Sequence, residues 1–426
     1  MKKILLFELC LLLLATNFQS DNPPGWYQQT LPVNDFVNDI FFIDTLTGWV
    51  VTQGNPQSND TGYILRTTNG GDSWNIQFFD VNNINVIQFL DENIGYAGGG
   101  FGQVIFLKTT DGGINWNITN PLGFVANVSD MYFINKDTGW ISSTDALDGG
   151  LFKTTNGGIN WTQQLNSSFT SNKIHFINSD TGWMGSADAN GKLYRTTNGG
   201  SNWQLLYTSN MSVTTLFFLN ELNGWMRGGT TNGLLYTTNG GFSWNNCQGE
   251  NAPYDVKFVT DSIGFAGGGN QPLRIAKSTD GGKTWGFQNA QATPDISVAT
   301  IKGDTNNVWA GKQILIHTTD GGGPIIFTGI QQIGTEIPTD FQLYQNYPNP
   351  FNPSTSIKFK VKSLKNIKLS VFDMAGKEMA VLVNEKLTPG EYEYLFEAGN
   401  LPSGVYFYSL SVEGVRVDTK KMVLLK

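Results

Sequence analysis

The sequence predicts an all-β chain: a seven-bladed β-propeller followed by a small immunoglobulin-like β-sandwich. Three observations carry that prediction. A turn motif recurs seven times at intervals of 40 to 45 residues, a glycine–aromatic pair recurs ahead of it, and both stop before the last hundred residues. A period of about 40–45 residues filled with short β segments and Gly-rich turns is the length of a propeller blade.

The first twenty residues stand apart. Met1-Lys2-Lys3, an apolar run from Ile4 to Leu14 and the small residues after it read as a secretory signal peptide, cleaved near Ser20. The run is too short to span a bilayer, and no other stretch is long enough. The mature chain is therefore expected to carry no transmembrane segment. Cys10 lies inside the leader, which leaves Cys247 alone and excludes an intramolecular disulfide.

Residues 21–323 hold the repeats. The motif is Thr67-Thr68-Asn69-Gly70-Gly71-Asp72-Ser73-Trp74, then Thr109 to Trp116, Thr154 to Trp161, Thr196 to Trp203, Thr237 to Trp244 and Ser278 to Trp285. A seventh copy, Thr318 to Gly322, lacks its tryptophan. Each unit has three strand-length runs ahead of the box and one behind it, a four-stranded antiparallel meander with the box between strands three and four. The third position of the box (Asn69, Asp111, Asn156, Asn198, Asn239, Asp280, Asp320) is short enough to bond backbone N–H groups across the turn. The paired glycines supply angles that a Cβ disfavours. The tryptophans Trp74, Trp116, Trp161, Trp203, Trp244 and Trp285 can bury their rings against a neighbouring sheet.

A second register point lies between strands one and two: Gly48-Trp49, Gly95-Tyr96, Gly139-Trp140, Gly182-Trp183, Gly224-Trp225, Gly264-Phe265 and, without the glycine, Val308-Trp309. These and the boxes account for every tryptophan except Trp26. The segment Trp26 to Thr30 resembles the fourth-strand sequence that starts at Trp161. It is expected to complete blade seven and close the ring, protecting both edges of an otherwise open array. Completion by Ile325 to Gly329 is the alternative.

The box pattern resembles the Asp-box, or BNR repeat, found in sialidases, in some xyloglucan-active glycosidases and in non-enzymatic propellers. The full unit is most similar to the photosystem II stability/assembly-factor propellers. The resemblance implies that the boxes are structural and lie away from the ligand face. Beyond a linker at residues 324–339, the segment 340–426 carries Tyr344-Gln-Asn-Tyr-Pro-Asn-Pro-Phe-Asn-Pro353, Lys368 to Gly376, Leu401 to Tyr408 and a terminal Lys420 to Lys426. These motifs, in this order, resemble the type A C-terminal sorting domain of the type IX secretion system. That resemblance implies the secretion machinery as a partner. It also implies delivery across the outer membrane of a Gram-negative bacterium, to the surface or the medium.

Charge narrows the possible partners. Residues 21–339 carry a formal charge of −11 and residues 340–426 carry +2. An acidic propeller argues against a nucleic-acid backbone or an anionic lipid surface. His175 and His317 fall in strands without neighbouring cysteines, so no metal site is expected, and no cofactor motif is present.

Chemistry, if any, is expected on the face opposite the boxes, where strands two and three and successive blades are joined. Asn59, Asp60, Asp145, Asp188, Asn190 and Arg227 are the candidate ligand-binding residues there, being polar groups able to bond a sugar or a peptide. A sialidase needs three arginines near the axis, and the propeller holds only Arg66, Arg195, Arg227 and Arg274, two of which adjoin boxes. The expected function is a non-catalytic exported propeller that binds a glycan or a surface protein. A secreted glycosidase using two loop carboxylates is the alternative.

Overall fold

The computed structural model describes residues 25–54, 61–80, 83–100, 104–119, 127–143, 149–165, 171–228, 233–249, 253–268, 274–288, 290, 297–323, 325, 329–334, 336–398 and 401–425. Among them lie nine antiparallel four-stranded sheets, seven in the propeller and two in the C-terminal domain. Blade 1 is the meander Val37–Phe42, Gly48–Thr52, Gly62–Thr67, Asn75–Asp80, and blades 2 to 6 repeat its strand order. The first strands of successive blades touch in sequence, and that of blade 7, Ser297–Thr300, touches that of blade 1. The first strands therefore surround the axis, and the box-bearing turns lie further out.

Blade 7 has three strands of its own, and its fourth is Tyr27–Gln29 from the other end of the propeller. Tyr27, Gln28 and Gln29 pair with His317, Ile316 and Leu315. The ring closes with the N-terminal strand, and among the described residues none after 323 pairs with blade 7.

Seven apolar clusters fill the seven gaps between blades, and one rule builds six of them. The aromatic of each Gly-aromatic pair lies flat on a phenylalanine from the first strand of the next blade. Trp49 stacks on Phe89 with centroids 3.5 Å apart, Tyr96 on Phe133 at 3.7 Å, Trp183 on Phe218 at 3.7 Å and Trp309 on Phe42 at 3.6 Å. The box tryptophan meets the same phenylalanine edge-on, as Trp116 meets Phe89 at 87° and Trp203 meets Phe176 at 85°. Face and edge contacts together suit the ring quadrupoles. The glycine ahead of the aromatic is steric: a Cβ at Gly48, Gly95, Gly139, Gly182, Gly224 or Gly264 would fall 2.4–2.6 Å from its own blade's phenylalanine ring. Blade 7 places Thr300 where the others place phenylalanine, and there Val308 replaces the glycine.

The C-terminal domain is a sandwich. One sheet runs Gly329–Gly334, Gly390–Glu397, Ser354–Val361, Gln342–Leu343, and the other runs Glu378–Leu387, Lys365–Phe372, Gly404–Val412, Val415–Leu424. Residues 324–339 are therefore more than the expected linker, since Gly329–Gly334 is an edge strand of the sandwich paired to Glu391–Leu395. Ile330 packs on the shared core, which includes Phe359, Leu369, Tyr392 and Tyr408. The strand is short, flanked by glycine and outside the repeat, so nothing local distinguishes it from a linker. The Pro-rich motif is stitched into this domain by Asn346, 2 % exposed. Its N–H donates to Tyr408 Oη at 2.7 Å, and its amide donates to Thr355 Oγ1 at 2.8 Å.

Candidate functional site

The turns on the box side of the propeller are built by a repeating set of hydrogen bonds. In blade 1, Thr67 Oγ1 donates to Asn69 Oδ1 (2.8 Å) and accepts from Gly71 N (2.9 Å), while Asn69 Oδ1 also accepts from Ser73 N (3.0 Å). The same set recurs at Asp111, Asn156, Asn198, Asn239 and Asp280. The first glycine of each box donates to the turn between strands one and two of its own blade, as Gly70 N does to Leu46 O at 2.8 Å. Boxes and Gly-aromatic turns therefore share one face, as the sequence predicts. The cation before the box is used structurally. Arg66 lies over Trp49 and Arg195 over Trp183, with 5.4 and 5.3 Å to the ring centroids. Lys108, Lys153 and Lys277 reach the following blade's box and donate to the carbonyls of Gly157, Gly199 and Gly321. These contacts tie the boxes into the blades, while Arg66 Nε, Arg195 Nε and Nε1 of Trp49, Trp74, Trp116, Trp140, Trp203 and Trp225 are buried without a hydrogen-bond partner.

The opposite face holds the described part of the candidate set. Asn59, Asp60 and Asp145 lie outside the described residues. Asp188 and Asn190 occupy the turn after Gly182–Ser186 of blade 4, and Arg227 ends the second strand of blade 5, Gly224–Arg227. Between them opens a cavity of about 390 Å³ lined by Ala189, Asn210, Met211, Ser212, Thr214 and Arg227. Arg227 thus lines the cavity directly, whereas Asp188 and Asn190 flank it through Ala189. The Arg227 guanidinium sits 4.8 Å over the Tyr254 ring from blade 6, a stack that holds its planar fork in one orientation. Ser212 Oγ donates to Ala187 O at 2.6 Å and Asp188 O at 3.1 Å, fixing the blade 4 turn to the chain entering blade 5. Thr214 Oγ1 is buried with no hydrogen-bond partner.

The residues from Asn210 to Thr214 were not singled out in the sequence. Their signal was present but faint: a polar crossover between blades, one of six such segments and no richer in Asn or Ser than the rest.

A second polar group lies around the axis. Asp39, Asp130 and Asp255 occupy equivalent positions in the first strands of blades 1, 3 and 6. Each accepts an N–H from the next blade, from Ile87, Ile174 and Val298 at 3.0, 2.9 and 3.0 Å. Lys257 pairs with Asp255 at 2.9 Å. Burial opposes the Lys257 charge, but Asp255, Asp39 and Asp130 outweigh it and hold its pKa above the ordinary lysine value. Burial pushes the Asp39 carboxyl up to about 7, against the Ile87 N–H and the Lys257 charge. His175 is pushed down to about 4 by burial and then by Lys257. These side chains are spent on joining blades. Their signal in the sequence was a charge at a constant offset ahead of the conserved-register phenylalanine, which periodicity of apolar residues does not report. No group of three or more His, Cys, Asp or Glu side chains among the described residues could hold a metal ion.

With fold and site in place, comparison with known proteins divides the chain in two. Residues 345–425 match the family model of the secretion system C-terminal sorting domain. The sandwich is therefore similar to such sorting domains over nearly its whole length. The chain is accordingly a secreted or cell-surface protein, addressed through type IX secretion. Residues 246–327 match the model of the photosynthesis system II assembly factor YCF48. Among solved structures, YCF48 bound to D1 peptide superposes with a TM-score of 0.54 at 18 % identity, covering 70 % of this chain and 98 % of that one. YCF48 from Cyanidioschyzon merolae gives 0.53 at 18 % identity, covering 69 % and 98 %. PorZ of Porphyromonas gingivalis, an essential surface component of the type IX secretion system, gives 0.52 at 13 % identity. That match covers 93 % of this chain, which spans 60 % of PorZ. At these identities the likeness is one of fold. No curated protein matches the sequence.

Proposed function

We propose that this exported propeller is a non-catalytic binding protein that holds a glycan or protein ligand in the cavity between blades 4 and 5. The observation that carries this reading is the chemistry of the cavity wall. It presents a guanidinium braced on Tyr254, the amide of Asn210 and the Met211 side chain. A few convergent polar groups in a concave, partly apolar site are what ligand recognition needs. Among the described lining residues there is no carboxylate, which favours binding over the two-carboxylate chemistry of a glycosidase. An extended peptide is one of the two ligand classes because a propeller of this fold, YCF48, is found with a bound D1 peptide. Asp188, the described carboxylate nearest the cavity, stands behind Ala189 with its carbonyl tied to Ser212.

The test uses the full chain against immobilised polysaccharides and a peptide array, scoring retained protein and new reducing ends together. Retention without new ends, lost in Arg227→Ala and Asn210→Ala while the melting temperature holds, is the expected result. New reducing ends, or retention indifferent to both substitutions, would overturn the proposal.

A further inference from the structure

The seventh Asp-box is divided between the two ends of the propeller. In blades 1 to 6 one continuous octapeptide supplies the turn, the N–H that closes it and the tryptophan that covers it. In blade 7 Thr318–Gly322 supply the turn, and Gly25-Trp26 supply the rest. Gly25 N donates to Asp320 Oδ2 at 2.9 Å, the place Ser73 N takes on Asn69 in blade 1. A Cβ on Gly322 would lie 2.3 Å from Trp26 Nε1, so the indole covers this turn as Trp116 and Trp203 cover Gly113 and Gly200.

Three side chains then anchor the strand in three blades. Trp26 Nε1 donates to Gln288 Oε1 of blade 6 at 3.2 Å. Tyr27 Oη lies 2.6 Å from His317 Nδ1 of blade 7, and Gln29 Nε2 donates to Gly70 O of blade 1 at 2.8 Å. The pattern Gly-Trp-Tyr-x-Gln is therefore read at four stations along five residues.

What sets this strand apart is its tether. Every other fourth strand is continued by the chain at both ends into its own propeller. Tyr27–Gln29 forms three ladder pairs with blade 7 but is continued, through residues 30–36, into blade 1 and not into the blade it completes. An element so held opens as a small unit ahead of the whole. Opening leaves Leu315–Thr318 as an unpaired edge with its four stations vacant, a template for another strand. Residues 30–36 extend to about 24 Å at most, enough to reach blade 7 of a molecule abutting at this rim.

We propose that blade 7 is a strand-acceptor site whose occupant in trans is the Gly25–Gln29 segment of a second copy of this chain. The exchange is reciprocal, because each copy gives the strand it needs, and it closes as a two-fold dimer. The occupant is argued from the stations themselves. They select tryptophan, then tyrosine, then glutamine at fixed spacing, and this chain carries that segment on a connection to blade 1, outside the blade it completes.

The wild-type full chain tests this without any destabilising substitution. It is concentrated at pH 5, where His317 stays neutral under the closed strand but takes up a proton once the strand has opened, so that opening is favoured, and returned to pH 7.5. Its mass is then read by light scattering after gel filtration. The residues facing His317 are Tyr27, Gln29 and Trp309, with Asp304 the acting charge. A dimer that persists at pH 7.5 is expected. It should fail to form when a synthetic peptide of residues 23–31 is in excess, and form normally with the same peptide carrying Trp26→Ala. A chain that stays monomeric and captures no peptide overturns the acceptor. Capture of the peptide without dimer overturns the second copy as occupant, and a dimer indifferent to both peptides places the contact elsewhere.

Discussion

Acid should loosen the propeller through His317, and the size of the effect follows from its surroundings. The ring is 4 % exposed, stacked on Trp309 at 4.3 Å, with Tyr27 Oη and Gln29 Nε2 both aimed at Nδ1. Both donors need an acceptor, so Nδ1 is unprotonated and the neutral ring carries its proton on Nε2. Burial pushes the pKa down to about 3, with Asp304 pulling the other way. In the unfolded chain the group titrates near its ordinary 6.5. Between those values the unfolded chain binds the proton and the folded chain does not, so stability falls as pH drops below 6.5. At pH 4.5 the loss relative to pH 7.5 is about two pKa units, or roughly 2–3 kcal/mol at about 1.4 kcal/mol per unit. Urea unfolding followed by tryptophan fluorescence isolates the propeller, because all twelve tryptophans lie between Trp26 and Trp309. The comparison is with His317→Gln, which keeps an acceptor for Tyr27 and cannot charge. Wild type minus variant should change by that amount between pH 7.5 and 4.5, which cancels the titration of His175 and Asp39. An identical pH slope in the two proteins would refute the reasoning.

Other expectations follow from the same geometry. Asp39→Asn should stabilise the propeller at pH 8 by about 1–3 kcal/mol, discounted for the partly wetted axis. The carboxyl titrates near 7 when folded and 3.8 when unfolded, so its charged form opposes folding as pH rises. The advantage should shrink toward pH 4, and a variant no more stable than wild type at pH 8 would contradict the burial argument. Gly182→Ala should lower the melting temperature, since its Cβ would meet the Phe176 ring at 2.4 Å. Overpacking of that kind costs about 1–3 kcal/mol, and an unchanged melt would show that the ring can move aside. A chain stopped after residue 323, which removes the whole sandwich including Gly329–Gly334, should accumulate in the periplasm. Its normal appearance in the medium would refute the sorting role.

Much of the fold was legible because blades are local objects. The Asp-box is a complete hydrogen-bond motif within eight residues, so its seven copies could be counted, and Trp26 betrayed the closing strand because it lacked a box of its own. The Gly of each Gly-Trp pair was visible too, but its reason was not: the phenylalanine ring that excludes a Cβ comes from six residues earlier on the paired strand. The candidate site was legible only in part. Loop composition pointed to the face opposite the boxes and to Arg227, which lines the cavity. It could not point to Thr214 and Asn210, which become a wall only when blade 5 swings against blade 4.

By itself, then, the sequence determined the period, the number of blades, the box turns, the sorting domain and the address outside the cell, since each is written in contiguous residues with short-range chemistry. The tertiary structure alone decided the assignment of Gly329–Gly334 to the sandwich and the meeting of Asp39, Asp130, Asp255 and Lys257 at the axis. It also decided the cavity between blades 4 and 5 and the division of the seventh box between residues 25–26 and 318–322. All four are contacts between segments distant in the chain, and only ring closure and sheet pairing bring such segments within hydrogen-bonding reach.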